Sequence, residues 1–381
     1  MSTLTGILEW PERVEGRVRQ FGDGFIQSES DPFVPVALGE QYPLRNAQEL
    51  TVEVIQKKPR RRRGKPNSTR VARPVVEQVI AIEGLEPDEY ANRKAFEDLT
   101  VIDPEPRLGL EHKGCPDACR LIDLFCPIGK GQRALIVSPP KAGKTTLLKN
   151  IASGLDANHP DVTVFALLVD ERPEEVTDFR RSTPCTVIAS SNDRDVESHI
   201  AVAIQTLDRA RRMVEAGKDV VILLDSLTRL GRAFNASKKH ANSGRTLTGG
   251  LDSKALSVPK QLFGAARNTE EAGSLTVIAS CLVDTGSAGD QVIFEEFKGT
   301  GNMELVLDRK VSEHRIFPAI NLAASGTRKD HLLLSERELK TMTALRRRLL
   351  NMKPTQQIEQ LLAALQRFET NEEMVTAAGG G

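Results

Sequence analysis

The sequence predicts an α/β fold built on a mostly parallel sheet, preceded by a small all-β barrel. Three observations predict it. The stretch Ser138-Pro139-Pro140-Lys141-Ala142-Gly143-Lys144-Thr145 lies between an apolar run, 134–137, and a helical run, 145–152. Strand, tight loop, Gly-Lys-Thr and helix is the layout of a phosphate-cradling loop. Val220-Val221-Ile222-Leu223-Leu224-Asp225 is a continuous apolar run ending in an acid, the pattern of a strand buried on both faces. From Arg133 onward strand and helix patterns alternate, with strands expected over 134–137, 162–169, 186–189, 220–224 and 275–282. Helices are expected over 145–152, 196–215, 252–265 and 291–297, and that alternation favours a parallel sheet with helical layers.

Ahead of this core, residues 1–85 read as short strands separated by Gly and Pro, which predicts the barrel. Residues 86–130 read as a linker and entry segment, and 131–381 as the core with a helical tail from about 335. Between two barrel strands lies 57–73, KKPRRRRGKPNSTRVAR, with nine basic residues and no acid. Arg60, Arg61, Arg62 and Arg63 there point to electrostatic capture of a polyanion; a solvated loop is the plainer alternative.

Composition sets bounds. The 381 residues allow two or three domains, and 52 basic against 52 acidic residues leave no net charge, so local clustering must decide any nucleic-acid role. No apolar run is long enough for a bilayer, and Met1 to Trp10 lacks the basic start and apolar core of a secretion signal. The five cysteines suit a reducing cytoplasm, and the spacing of Cys115, Cys119 and Cys126 matches no common zinc pattern.

The chemistry of the loop is specific. Backbone amides of Ala142, Gly143 and the first helical turn through Thr146 can meet phosphate oxygens. Gly143 permits close approach, Lys144 supplies a charge for the β- and γ-phosphates, and the Thr145 hydroxyl with the Asp225 carboxylate offers Mg²⁺ hard oxygen ligands. Asp170-Glu171-Arg172-Pro173 follows the strand expected over 162–169. Glu171 is positioned to polarise the attacking water; the alternative is that Asp170 and Glu171 cap the N-terminus of the next helix ahead of Pro173. Arg229, one turn after Asp225, either senses phosphate or pairs with Asp225. Arg328 and Lys329 sit in a flexible Ser-Gly-Thr turn. The Gly/Ser/Thr-rich segments 241–250 and 284–290 are mobile loops that could carry movement to a polymer, or ordinary surface loops.

Several segments, in order, resemble the Rho transcription termination factor family: PPKAGKT, VDERPEEVTD, LLDSLTRLGRAFN, SGRTLTGGLD, PKQLFGAARN, EEFKGTGNMEL and FPAIN…SGTRK, a dense match over about 120–345. The resemblance implies a RecA-type P-loop ATPase core behind an OB-like RNA-binding barrel. It also implies a cytoplasmic homohexamer that uses ATP and Mg²⁺ to thread single-stranded RNA and dismantle RNA polymerase elongation complexes. By position it implies a phosphate role for Lys141, Lys144 and Thr145, a water-activating role for Glu171 with Arg172 beside it, and a magnesium role for Asp225. Arg328 becomes an arginine finger acting across subunits, with Arg315 a second interface cation and Phe317 stacking on adenine. Arg245, Thr246 and Gly249 fall in one channel loop, Gly286 and Ser287 in a second, and Lys298 nearby. Ala288 stands where the family usually has lysine, so RNA contact there falls to backbone N–H groups. The barrel's aromatic platform is blurred; Phe21, Phe25 and Phe33 either stack on bases or fill the barrel. The family's helical segment ahead of the barrel finds no match. The alternatives are another RecA-type ring ATPase and a non-catalytic RNA-binding protein with a vestigial nucleotide site.

Overall fold

A computed structural model of the chain describes residues 2–11, 14–57 and 72–378. Six strands, β1 (Ser2–Glu9), β2 (Gly16–Gly22), β3 (Gly24–Ile26), β4 (Phe33–Val34), β5 (Glu49–Lys57) and β6 (Arg73–Ile82), fall where the short apolar runs predict them. They pair in the order β1-β5-β6-β4-β2, and β1 pairs back to β2, closing a five-stranded, OB-like barrel with β3 added to β2. Closure satisfies the edge N–H and C=O groups that an open sheet of this size would leave bare. The period-2 pattern of β5 turns Leu50, Val52 and Val54 inward against Leu8, Val18, Val76 and Val79. Lys57 stands opposite Arg73 on the antiparallel pair β5–β6, so the basic segment joins adjacent strands. Arg60, Arg61, Arg62 and Arg63 lie outside the described residues.

The core opens with α1 (Asp117–Phe125), followed by β7 (Arg133–Ser138), α2 (Lys144–Asn158), β8 (Thr163–Glu171), α3 (Pro173–Ser182), β9 (Thr186–Ser191), α4 (Val196–Glu215), β10 (Val220–Asp225) and α5 (Leu227–Ala236). It continues through α6 (Ser257–Gly264), β11 (Leu275–Leu282), α7 (Ala288–Phe297), β12 (Met303–Val306) and β13 (Gly326–Thr327), and ends in α8 (Glu336–Leu349), α9 (Pro354–Leu365) and α10 (Asn371–Ala378). The strand order is β9-β8-β10-β11-β7-β12-β13, parallel throughout except for the last pair.

The sheet divides two apolar cores. Ala134 and Ile136 of β7, Ala166 and Leu168 of β8, and Val221 and Leu223 of β10 face one core. Leu135 and Val137, Leu167 and Val169, and Ile222 and Leu224 face the other. Alternation exists in these strands, but both faces are apolar, so they read as uninterrupted runs.

Several elements depart from the sequence expectations; the helix expected over 145–152 runs on to Asn158. α1, read only as an apolar stretch of a linker, is a helix buried at every residue after Asp117. Its charged residues mask the pattern: Arg120 is taken up by Glu111, Asn371 and carbonyls of the tail, and Asp123 by the N–H groups of Leu110 and Glu111. The helix expected over 252–265 starts at Ser257, because Leu251–Asp252 pairs with Thr246–Leu247 as a small ribbon. The helix expected over 291–297 starts three residues earlier, where the Ser287 hydroxyl caps it by accepting from Asp290 N–H at 3.3 Å.

The barrel is fastened to α4 by buried charge. Arg209 reaches Glu83 at 2.5 Å, and fully buried Glu215 accepts from Arg45, the Tyr90 hydroxyl and Phe96 N–H, each at 2.8 Å. No helix among the described residues is long and apolar enough to cross a membrane.

Candidate nucleotide-binding site

Parallel strands deliver their C-terminal ends to one edge, and the candidate chemistry gathers there. The loop after β7 turns sharply, with Lys141 at φ 65° and Gly143 at φ 93°. Glycine accepts that region freely, whereas the lysine backbone is strained by about 1–3 kcal/mol. Gly143 is the N-cap of α2 and no side chain caps that helix. Its first N–H groups and the positive end of its dipole are therefore available to an anion. Ser138, where such loops usually begin with glycine, is fully buried, and its hydroxyl donates to Pro139 O at 2.9 Å.

Three charged groups meet beside the loop. Lys144 Nζ pairs with Asp225 and lies 3.4 Å from Glu171 Oε1. Burial alone would lower the lysine, but the carboxylates of Asp225 and Glu171 outweigh it and hold the ammonium above its ordinary value. Asp225, at the end of β10 and 1% exposed, also accepts from the Ser280 hydroxyl of β11 at 2.9 Å. Glu171, at the end of β8, is pushed up to about 7, first by burial and then by the charge of Asp225, against the pull of Lys144 and Arg229.

For two residues in this region the geometry removes one of the alternatives. Neither Asp170 nor Glu171 caps α3; the N-cap is Arg172, without a side-chain cap, and Pro173, Glu174 and Glu175 form the first turn. Arg229 does not pair with Asp225: its guanidinium lies 3.1 Å from Glu171 and 3.2 Å from Asp170. Arg172 is exposed and lies 3.6 Å from Glu175.

Next to this cluster opens a cleft of about 570 Å³. Lys141, Ala142, Gly143 and Thr146 form its rim, Phe317 and Pro318 one wall, and Pro116, Asp117 and Ala118 at the start of α1 another. Thr145 lies beside the rim in the first turn of α2, half-buried. Phe317 is 44% exposed and lies against Gly143, where an added Cβ would sit 3.4 Å from its ring. Sequence reasoning missed Asn150 and the α1 wall. Asn150 was findable, since it stands one turn beyond Thr146 on the same face of α2. Arg315, at φ 61°, and Arg328 are exposed; the Arg328 N–H donates to Asn302 O at 2.8 Å.

The two small-residue loops meet. A Cβ added at Gly249 (φ 79°) would lie 2.7 Å from the backbone of Ala288 and Gly289. Arg245, Thr246, Gly249, Gly286 and Ser287 are exposed around that contact. Lys298, exposed at the end of α7, holds its ammonium 5.5 Å from the Phe294 ring centroid.

Phe21, Phe25 and Phe33 do not fill the barrel, whose core takes Tyr90 with Trp10 and Tyr42 against it, and Phe21 packs on a core of the parallel sheet instead. Phe25 meets Phe21 edge-on at 5.7 Å, and its N–H donates to Gln205 of α4 at 3.1 Å. Phe33 carries the guanidiniums of Arg17 and Arg73 at 3.8 and 4.1 Å from its ring centroid. Arg73 also pairs with Glu15 at 3.1 Å, so the ring is covered by guanidiniums, one of them neutralised, and is not a bare stacking face.

Residues 118–327 match the nucleotide-binding domain of the ATP synthase alpha/beta family. The chain is 51% identical over 304 residues to the transcription termination factor Rho of Borreliella burgdorferi, covering 80% of this chain and 59% of that protein. It is 46% identical over 378 residues to the Rho factor of Aquifex aeolicus, covering 98% of this chain and 84% of that protein. The fold is similar to that of EscN, the assembled ATPase of the type III secretion system of enteropathogenic E. coli, with a TM-score of 0.60 at 17% identity over 99% of this chain and 97% of that one.

Proposed function

The chain belongs to the transcription termination factor Rho family, and from that premise we propose that it is a cytoplasmic, RNA-dependent ring ATPase. In this reading it threads single-stranded RNA and dismantles the RNA polymerase elongation complex. The observation that carries the reading is the convergence of Lys144, Glu171 and Asp225 at one sheet edge, beside an apolar-walled cleft large enough for a nucleoside.

The residues present suit Mg²⁺·ATP. The uncapped amides of α2, Lys141 and Lys144 would hold the phosphates, and Phe317 with the α1 wall would take the base. Thr145 and Asp225 would hold Mg²⁺, which usually takes one or two protein oxygens besides phosphate and water and would neutralise charge on the phosphate oxygens. Glu171 would accept the proton of the attacking water as its oxygen bonds to the γ-phosphorus and ADP leaves. Arg229, 3.1 Å from the same carboxylate, would help to orient it. Arg328 of a neighbouring protomer would neutralise the developing charge, with Arg315 a second cation at the same interface and Arg172 beside the base.

RNA would be captured at the barrel, by Phe25, by the Arg17–Phe33–Arg73 stack and by Arg60 to Arg63. It would then pass the loops that carry Arg245, Thr246, Gly249, Gly286 and Ser287, with Lys298 close by. Ala288 brings no charge to that channel, which leaves backbone N–H groups and the neighbouring cations to meet phosphate.

The test is ATP turnover with single-stranded RNA, single-stranded DNA and no polymer. RNA is expected to stimulate strongly, with the effect falling as salt rises. Equal stimulation by DNA would return the reading to another ring ATPase, and absence of turnover with every polymer to a vestigial site.

Gly249→Val provides a second check. Its side chain would strike the backbone at Ala288–Gly289 and force the two loops apart. RNA-stimulated turnover is expected to drop while nucleotide affinity stays near that of the parent. An unchanged RNA response would remove these loops from the proposed RNA path.

A further inference from the structure

The turn that carries Arg328 is held from four directions. β13 pairs with β12, Met303 opposite Thr327 and Glu304 opposite Gly326. Arg328 N–H donates to Asn302 O and the Thr327 hydroxyl to Pro127 O, both at 2.8 Å. The fourth hold comes from the helical tail. Arg346 of α8 donates Nη1 to the carbonyls of Leu322 at 2.5 Å and Ser325 at 2.7 Å, and Nη2 to Phe125 O at 3.0 Å. Its guanidinium also lies 5.3 Å from the Phe125 ring centroid.

All three hydrogen bonds of this side chain go to backbone carbonyls. A guanidinium suits the task, because its donors are fixed in a plane and can serve separate acceptors at once. Phe125 is the last residue of α1, so its carbonyl is one of those a helix end leaves without an intrahelical partner, at the negative end of the dipole. The other end of α1 begins at the wall of this protomer's own nucleotide cleft, through Asp117 and Ala118. One buried helix and one guanidinium therefore join the cleft of a protomer to the arginine that it would offer its neighbour.

We propose that Arg346 is the positioning residue of the Arg328 turn and ties that turn to the protomer's own nucleotide cleft through α1. The inference rests on the reading of Arg328 as the cation supplied in trans. It places the C-terminal helices in the catalytic interface, although α8 lines no part of the cleft. Loss of Arg346 would leave the three carbonyls without their charged donor and free the turn that aims Arg328, with the phosphate loop untouched.

The experiment compares Arg346→Gln, Arg346→Lys and Arg328→Ala with the parent in the full chain. RNA-stimulated kcat and KM for ATP, affinity for a fluorescent ADP analogue, ring assembly by native mass spectrometry, and Tm are measured for each. Arg346→Gln is expected to lower kcat by about tenfold to a hundredfold, as misplacement of a catalytic group by an ångström does. KM, ADP affinity and ring assembly should stay near parental values. Arg346→Lys keeps the charge but not the fork, and its kcat should fall between the parent and the Gln variant. That split between kcat and KM, with partial rescue by lysine, is not what a general loss of packing produces.

Parental kcat in Arg346→Gln, or parallel loss of ADP affinity, overturns the inference. If the Gln variant does not fold, parental kcat in Arg346→Lys overturns it instead. Collapse of Arg328→Ala together with a normal Arg346→Gln sinks this inference alone. Normal hydrolysis by Arg328→Ala removes the trans-arginine reading and this inference with it.

Discussion

Arg328→Ala will bind ATP nearly as well as the parent and hydrolyse it at least about a thousandfold more slowly in the presence of RNA, the usual scale for an arginine supplied to a phosphoryl-transfer site. The expectation follows from where the residue lies. Arg328 is exposed, its backbone is anchored at Asn302, and it lines no part of the cleft on its own chain. Its removal leaves the loop amides, Lys141, Lys144 and Phe317 in place, so ground-state binding persists. The loss falls on the charge that develops as the γ-phosphoryl group transfers, which is a kcat effect. Equilibrium binding of a nucleotide analogue and single-turnover hydrolysis check it together. Parental hydrolysis would show that no catalytic cation comes from this turn.

Glu171→Gln will lower RNA-stimulated hydrolysis by about two to four orders of magnitude, the scale of general base catalysis. It will also change the pH profile. The Glu171 carboxyl is pushed up to about 7 by burial and by Asp225, so below that pH it carries a proton and cannot take one from water. For the parent, kcat/KM for ATP should rise with pH to a plateau above about 7, the limb reporting the free enzyme. The residual activity of the Gln variant should lack that limb.

Stability carries the same sign. A carboxyl whose folded pKa lies above its ordinary value stabilises the fold only while protonated; that contribution is full below about 4.5 and is lost as pH rises toward about 7. Glu171→Gln should therefore raise Tm more at pH 8 than at pH 4, as thermal unfolding can measure. A parental pH profile in the Gln variant would move the base elsewhere.

The sequence and the structure divide this protein in a consistent way. Lys141, Gly143, Lys144 and Thr145 are neighbours along the chain, and the local rules of a strand-to-helix turn place them, so their arrangement was legible. Asp225 and Glu171 were legible because a continuous apolar run followed by an acid marks the end of a buried strand, and parallel strands bring those ends to one edge. Membership of α1 in the core was not, since Arg120 and Asp123 look like surface residues until Glu111, Asn371 and the N–H groups around Leu110 neutralise them.

Side-chain partners were the least legible. Arg229 stands one turn after Asp225, yet it turns to Asp170 and Glu171 because β8 is the neighbour of β10 in the sheet. Periodicity reports which face a residue takes, and strand order decides what that face meets. For the same reason the contact of Gly249 with Ala288–Gly289 and the reach of Arg346 to Ser325 appear only when the chain is folded.

By itself the sequence determined the phosphate loop, the acids at the strand ends, the closed barrel and the family, because each is written in contiguous residues or in a short period. Tertiary structure alone decided which charges pair, how the two loops meet, and how the tail grips the Arg328 turn. Those contacts join residues tens to hundreds of positions apart, and only the order of strands and the packing of helices on them fixes such distances.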